Sequence, residues 1–288
     1  MAGKIRKAII TAAGPSQRRL PLQSLTDRNG ETKPAIAIII EEMLAAGIEQ
    51  IGLIVSPTDR AAYSTLLAPY TRNLTFIEQA SANGYGHAVL CGRDFVCSEP
   101  FLLQVSDHLY VSASEKSCTR QLLDLAEAEG CAISAVQATH ERHLLYYGTV
   151  AGSLLPGRQG IYQIENVIEK PTPTVAEQQC VVPGLRAGHY LCFFGMHVLT
   201  ATVFTLLTEA ATAEPTAKIG LSPALARLPS REKYLAAELA GRRADLEAQF
   251  GVLRAQIALG LNGSAREEIL ALIADELAID AGRTLTRR

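Results

Sequence analysis

Several side chains able to do chemistry stand where an apolar run of this chain stops. Asp107 follows Phe101-Leu102-Leu103-Gln104-Val105, and Glu169-Lys170-Pro171 follows the run from Ile161 to Ile168. A carboxylate ending a buried strand is costly unless it is solvated, caps a helix or holds a metal. For Asp107 the bland alternative is a cap for the segment after Tyr110. Glu169 beside Lys170 sets an acid next to a base, although exposed Glu-Lys pairs are common. Gly241-Arg242-Arg243-Ala244-Asp245 reads as the opening of a helix, where Asp245 could serve the helix dipole alone.

Two further stretches offer groups for phosphate and base. In Ala12-Ala13-Gly14-Pro15-Ser16-Gln17-Arg18-Arg19, backbone amides could cradle a phosphate, with Arg18 or Arg19 supplying charge. One glycine followed by proline is equally an ordinary turn, and the stretch is neither a Walker A loop nor a G-x-G-x-x-G fingerprint. Gln79 to Val89 (Q-A-S-A-N-G-Y-G-H-A-V) leads into a helix. A glutamine amide can read a nucleobase edge with its paired donor and acceptor, and glycines let backbone approach a ring closely. His87, at the start of that helix, reads as a structural group.

The elements that must position these groups alternate in the first half. The pattern predicts strands at Lys7–Ala12, Ile51–Val55, Leu74–Ile77 and Phe101–Val105. Helices are predicted from Pro34 to Gly47, Arg60 to Ala68 and Gly86 to Val96. Strand, helix, strand at this spacing implies parallel pairing, and such sheets bind ligands at the carboxyl ends of their strands. Topology alone thus gathers Gly14, Gln79 and Asp107 at one crevice. From Tyr147 the runs shorten (Tyr147–Ala151, Ile161–Ile168, Tyr190–Leu199) and predict mixed or antiparallel strands forming a lid or extension. Pro171 to Gly184 reads as a flexible loop. Thr200–Glu209, Arg243–Leu261 and Arg266–Ala278 read as helices.

Composition bounds the class. A chain of 288 residues, 48% apolar and 19% charged, can bury a full core as one large α/β domain or two small ones. Its formal charge of −2 leaves no basic excess for nucleic acid or an anionic membrane. No apolar run reaches the length of a membrane span, and the stretch from Ala8 to Ala13 is too short for a signal peptide. The six cysteines show no C-x-x-C pair and no zinc spacing, so a reducing cytoplasm is expected.

Taken together, these stretches resemble the bacterial-type UTP–glucose-1-phosphate uridylyltransferases (UDP-glucose pyrophosphorylases) of the sugar nucleotidyltransferase class. The resemblance is carried in order by Lys33-Pro34 through Ile51, by Gly84-x-Gly86-His87-Ala88-Val89, and by Glu99-Pro100-Phe101 to Asp107. It continues through Tyr147-Gly148 with Val150, Glu169-Lys170-Pro171, and Gly241-x-Arg243-x-Asp245 with Gly251 and Ala255. The chain departs from the family where G-x-G-T-R-x-x-P becomes Gly14-Pro15-Ser16-Gln17-Arg18-Arg19-Leu20-Pro21. No lysine occupies the family's following Pro-Lys place, near which Leu25 lies. Glu247 and Gln249 replace a glycine and a lysine, and Pro223 an aspartate.

The resemblance implies an α/β fold with a Rossmann-like, mixed and mostly parallel central sheet flanked by helices. It implies a single nucleotidyltransferase domain, with a nucleotide-binding half over about 1–140 and a sugar-binding half with C-terminal helices over about 141–288. The implied reaction moves a uridylyl group from UTP to a sugar 1-phosphate, glucose 1-phosphate first among them. Asp107 and Asp245 would hold Mg²⁺, Arg18 would face the triphosphate, and Lys170 the sugar phosphate. Glu169 and Gly148 would hold sugar hydroxyls, while Gln79, Gly84 and the backbone of Ala12, Ala13 and Gly14 would hold the nucleotide. With the loop lysine absent, Arg18 becomes the main cation, and Arg18→Ala is expected to abolish activity. A nucleotide- or sugar-phosphate-binding homologue without turnover, and a thymidylyl- or cytidylyltransferase, stay open as alternatives. So does a homo-oligomer.

Overall fold

The computed structural model describes residues 3–15 and 18–286; the Ser16-Gln17 departure lies outside them. The first half runs β1 (Lys7–Thr11), β2 (Ser24–Thr26), β3 (Thr32–Pro34), α1 (Ala35–Ala45), β4 (Gln50–Val55) and α2 (Arg60–Leu66). It continues with β5 (Leu74–Glu78), α3 (Tyr85–Cys91), α4 (Arg93–Val96), β6 (Phe101–Val105), β7 (His108–Ser112) and α5 (Cys118–Glu129). The second half runs β8 (Ala132–His140), β9 (Gly148–Leu154), β10 (Ile161–Glu169), α6 (Pro173–Gln179), β11 (His189–Leu199) and α7 (Thr202–Ala213). It closes with α8 (Ser222–Arg227), β12 (Tyr234–Glu238), β13 (Gly241–Asp245), α9 (Gly251–Leu261) and α10 (Arg266–Thr286).

Nine strands form one sheet in the order β5-β4-β1-β6-β11-β8-β12-β10-β9. The pairs β4–β5, β1–β4 and β1–β6 are parallel, as are β8 and β12, while β11 runs antiparallel to both β6 and β8. The sheet is therefore mixed, with the parallel block β5-β4-β1-β6 in the first half of the chain. The strands after Tyr147 extend this same sheet rather than forming a separate lid. Period-two alternation places Ala8, Ile10 and Leu102 in the core under α1, and Ile9 and Leu103 in the core on the opposite face. In α1, Ile36, Ile39, Ile40 and Met43 recur at helical spacing and are buried, while Glu41 and Glu42 are only partly covered.

Strand order reverses between β1, which continues outward to β4, and β6, which neighbours β11. A crevice at the carboxyl ends of strands is expected at such a switch point, and a large cavity opens there. Three readings of the sequence need correction. Gly241–Asp245 is strand β13, paired antiparallel with β7, and the helix after it begins only at Gly251. Pro171 to Gly184 contains α6, capped by Thr172, whose hydroxyl accepts from Val175 N. The helix expected over Gly86–Val96 is two, α3 and α4, meeting at Gly92. Among the described residues, no helix is long and apolar enough to cross a membrane, and all six cysteines are free.

Candidate active site

A crevice of about 1560 Å³ lies over the ends of β1 and β6 and is closed on its far side by β9, β10, β13 and the start of α9. That exceeds the roughly 300–1,000 Å³ usual for one small ligand, so two substrates can sit together. Of the residues singled out from sequence, Ala13, Gly14, Gln79, Gly84, Asp107, Gly148, Glu169, Lys170 and Asp245 line it. Ala12 stands behind them, its N–H donating to Ile54 O.

Asp107 and Asp245 come together because β7 pairs with β13, a ladder in which His108 faces Asp245. The amide of Leu246 donates to Asp107 O at 2.9 Å and carries the ladder one step further. His108 Nδ1 lies 2.7 Å from Asp107 Oδ1, and its Nε2 lies 3.9 Å from Asp245 Oδ2. Asp245 Oδ1 accepts from the amides of Glu247 and Ala248, and Oδ2 accepts from Tyr147 Oη at 2.9 Å. Burial pushes the Tyr147 phenol up to about 12, with Arg243 opposing and Asp245 adding to the rise, so at neutral pH it stays a donor. The Arg243 guanidinium stacks 3.6 Å from the Tyr147 ring centroid and donates to Phe193 O and to Thr139 Oγ1. Among the described residues, no lysine or arginine forms an ion pair with Asp107 or Asp245.

That donor set suits a hard divalent cation. Two carboxylates converge with some oxygen capacity left over, each oriented by neighbouring donors, and no cation of the protein neutralises them. No cluster of three or more acidic, His or Cys ligands occurs among the described residues. The remaining ligands must then come from phosphate oxygens or water, the ordinary condition of Mg²⁺ in phosphoryl-transfer sites.

One part of the crevice is built around Gln79. Its Nε2 lies 3.1 Å from Gly84 O and 3.0 Å from His87 Nδ1. Gly84 O is only an acceptor, so the amide nitrogen must face it, and both N–H groups are used within the protein. What Gln79 turns outward is an acceptor oxygen. Gly84, at φ +101, is zipped to the far half: an added Cβ would lie 2.4 Å from Ile219 O.

Another part joins β9 to β10, where Gly148 faces Glu169. A Cβ on Gly148 would lie 2.8 Å from the Phe193 ring and 3.1 Å from Glu169 Oε2, so only glycine leaves this floor open. Ser222 donates to Glu169 Oε2. Lys170 holds a left-handed φ of +47, which costs a non-glycine residue on the order of 1–2 kcal/mol. That conformation turns the chain out of β10 at the crevice edge.

The cation expected at the triphosphate is elsewhere. Arg18 does not line the crevice: its guanidinium contacts Thr58 Oγ1 at 3.3 Å and Asp59 Oδ2 at 3.4 Å. Lys33 is clamped by Asp27, Glu31 and Glu41 at 3.0, 2.8 and 2.9 Å. Leu25, near the family's lysine place, faces Lys33 in the β2–β3 hairpin with its side chain in the core. The crevice draws its positive charge instead from Lys170, Lys218, Arg142, Arg242, Arg243 and Arg254. Sequence reasoning missed His108, Tyr147 and most of these arginines, although Arg243 stood inside the Gly241-x-Arg243-x-Asp245 motif.

A family model described as nucleotidyl transferase matches residues 7–236. The UTP–glucose-1-phosphate uridylyltransferase YngB of Bacillus subtilis (strain 168) is 29% identical over 303 residues, covering 96% of each chain. A further UTP–glucose-1-phosphate uridylyltransferase of the same organism is 30% identical over 276 residues, covering 87% of this chain and 89% of the relative. Among solved structures, a UDP-glucose pyrophosphorylase complexed with UDP-glucose superposes with a TM-score of 0.71 at 24% identity. The match covers 88% of this chain and 98% of that one. A UTP-bound UGPase from Acinetobacter baumannii gives 0.70 at 24%, over 94% and 99%. Likenesses at that identity carry the fold.

Proposed function

The chain belongs to the nucleotidyl transferase family, and we propose that it is an enzyme moving a uridylyl group from UTP to a hexose 1-phosphate, glucose 1-phosphate first among them. The observation that carries this reading is the meeting of Asp107, Asp245, the Gln79 amide and the Glu169-Lys170 pair around one crevice. The names of the uridylyltransferase relatives support the same substrates.

In the reaction, a phosphate oxygen of the sugar 1-phosphate attacks the α-phosphorus of UTP. The bond from that phosphorus to the α,β-bridging oxygen breaks, and pyrophosphate leaves with the electron pair. The protein forms no covalent bond, so it works by positioning and by offsetting charge. Asp107 and Asp245 would hold Mg²⁺, which when bound supplies positive charge against the phosphates. His108 and Tyr147 orient the two carboxylates. Gln79 Oε1 accepts the N3–H of uracil, a proton that cytosine lacks. Glu169 accepts from sugar hydroxyls above the Gly148 floor, and Lys170 faces the sugar phosphate. Arg243, fixed by Tyr147, Phe193 and Thr139, adds positive charge beside Asp245. Arg18 remains available to the triphosphate only by leaving Asp59.

The deciding experiment measures pyrophosphate release for a panel of nucleoside triphosphates and sugar 1-phosphates, with and without Mg²⁺. The reading requires turnover with UTP, dependence on the metal and discrimination against CTP. Tight ligand binding with no pyrophosphate release would favour a homologue that keeps the fold without the activity.

A further inference from the structure

The crevice floor carries a polar group that the reaction described above leaves unused. His197, in β11, is 3% exposed yet lines the crevice. Its place follows from an irregularity in the sheet. From Phe193 to His197 the chain passes only Val136 to Ser134 on β8, and Gly195 takes φ +93 within that bulge. Bulges re-aim side chains, and this one lies in the middle of the sheet under the crevice.

Behind His197 stands a closed chain of hydroxyls. Its Nδ1 lies 2.6 Å from Ser134 Oγ, which lies 2.5 Å from Tyr234 Oη, and both partners are fully buried. The direction of the hydrogens follows from satisfying every group. Tyr234 Oη has Ser134 as its only partner among the described residues, and burial keeps the phenol protonated, so it donates to Ser134. Ser134 must pass its own hydrogen to His197 Nδ1. The opposite polarity would leave the buried Tyr234 hydrogen unmet. The imidazole proton is therefore on Nε2, and no hydrogen-bond partner among the described residues meets that nitrogen. Burial also lowers His197 to about 3, so it works as a neutral donor.

Position decides which ligand it meets. The His197 ring packs edge-on against Phe193, with centroids 4.9 Å apart, and Phe193 forms the floor under Gly148 and Glu169. Leu221 and Leu225 of α8 give the same floor an apolar wall. Tyr85 adds a second hydroxyl to the crevice lining, buried and with Thr11 beside it. Burial first, then the nearby carboxylates of Asp107 and Glu169, hold the Tyr85 phenol well above its ordinary range, so it too keeps its proton. A donor left unpaired in a dry floor penalises any ligand that cannot accept from it.

We propose that His197 is a specificity-determining residue whose Nε2–H donates to a ring oxygen substituent of the sugar 1-phosphate. The inference rests on the reading of the crevice as a UTP and sugar-phosphate site. Its chemistry asks for a hexose phosphate bearing an acceptor oxygen at the ring position that enters the floor, with the Tyr85 hydroxyl in the same crevice.

The test is calorimetric titration of glucose 1-phosphate and its monodeoxy analogues into protein saturated with a non-hydrolysable UTP analogue. In the unmodified protein, one deoxy position should bind at least tenfold more weakly than the parent sugar. His197→Phe keeps a ring against Phe193 but removes the donor. It should weaken glucose 1-phosphate at least tenfold, erase the penalty at that one position, and leave affinity for the UTP analogue unchanged. Should that variant unfold because Ser134 loses its acceptor, ¹⁵N-histidine spectra of the unmodified protein give an independent readout. They should show the Nε2-protonated tautomer and a shift of that N–H on adding sugar phosphate but not UTP. Unchanged sugar affinity in His197→Phe, an Nδ1-protonated tautomer, or an Nε2–H signal indifferent to sugar would overturn the inference while UTP binding stands. Failure of the unmodified protein to bind the UTP analogue would instead overturn the underlying reading, and the inference with it.

Discussion

Asp245 stands directly across the β7–β13 ladder from His108, and the same imidazole reaches Asp107 at 2.7 Å. Two carboxylates far apart in sequence are thereby set into one crevice by a short two-stranded ribbon outside the main sheet. If both hold the metal, Asp107→Asn and Asp245→Asn should each lower kcat/KM by two or more orders of magnitude, on the order of 3 kcal/mol or more in transition-state stabilisation. Each should also weaken Mn²⁺ binding followed by electron paramagnetic resonance, with far-UV circular dichroism unchanged. Near-normal turnover in either variant would remove the two-aspartate site.

How much of this arrangement was legible in sequence depended on where each signal came from. Asp107 was legible because a carboxylate ending a five-residue apolar run is locally anomalous. The β1-to-β6 crossover pattern gathered Gly14, Gln79 and Asp107 at one end of the sheet. Gly241-Arg242-Arg243-Ala244-Asp245 misled because its polar residues show no strand alternation; only pairing with β7 makes it a strand, and that pairing is tertiary. His197 was hidden inside an apolar stretch, where a polar residue usually reads as a satisfied core group, and Tyr85 stood between the two glycines of the Gln79–Val89 stretch, where Gln79 and Gly84 drew the reading. Arg18 illustrates the reverse case. The family pattern implied a role for it, but α2 begins with an aspartate close enough to hold the guanidinium.

Tyr147 donates to Asp245 Oδ2 through a 2.9 Å bond from its hydroxyl. Tyr147→Phe keeps the ring beneath Arg243 and removes only that donor. Groups that orient a metal's ligands commonly account for 10–100-fold in affinity or activity. The expected result is about a tenfold rise in the Mg²⁺ concentration needed for half-maximal rate, with KM for sugar phosphate unchanged. An equal loss in metal and sugar binding would assign Tyr147 a general packing role instead.

Gln79 spends both amide hydrogens on Gly84 and His87, which leaves Oε1 as the atom that would face the base in the proposed site. An acceptor there suits the N3–H of uracil or thymine and opposes the N3 lone pair of cytosine. Gln79→Ala should weaken UTP by about 1–3 kcal/mol, roughly five- to a hundredfold, and narrow the gap between UTP and CTP. Glucose 1-phosphate should bind as before. Fluorescence titration of the three ligands separates these outcomes, and a uniform loss would make Gln79 structural.

Lys33 and Arg18 are expected to matter less to turnover than the family pattern implies. Three carboxylates hold Lys33 and raise it further above its ordinary range, Glu31 foremost, so its charge is already committed. Lys33→Met should leave kcat/KM within about threefold while lowering stability to chemical denaturation by about 1–3 kcal/mol, because Asp27 loses a partner inside the fold. Arg18→Ala should cost less than tenfold in kcat/KM for UTP. Abolished activity in Arg18→Ala would show that the loop closes over the triphosphate when nucleotide binds.

His197 gives the fold an acid-sensitive point whose sign is fixed by its neutral state. Burial lowers its folded value from 6.5 to about 3, while the unfolded chain titrates at the ordinary value. Between those two limits the unfolded state binds the proton and the native state does not. Stability therefore rises with pH across this window, and it is lost as pH falls from 6.5 toward 3. One such proton contributes a slope of at most about 1.4 kcal/mol per pH unit, flattening above pH 6.5. His197→Gln keeps an amide donor and acceptor in the same place but cannot titrate. Urea unfolding from pH 7 to pH 4 should then show a shallower fall in stability for His197→Gln than for the unmodified protein, by up to one proton's worth. Parallel curves would mean that His197 takes up its proton as readily in the native state as in the unfolded chain, and the neutral state assigned to it, with Ser134 donating to Nδ1, would have to be withdrawn.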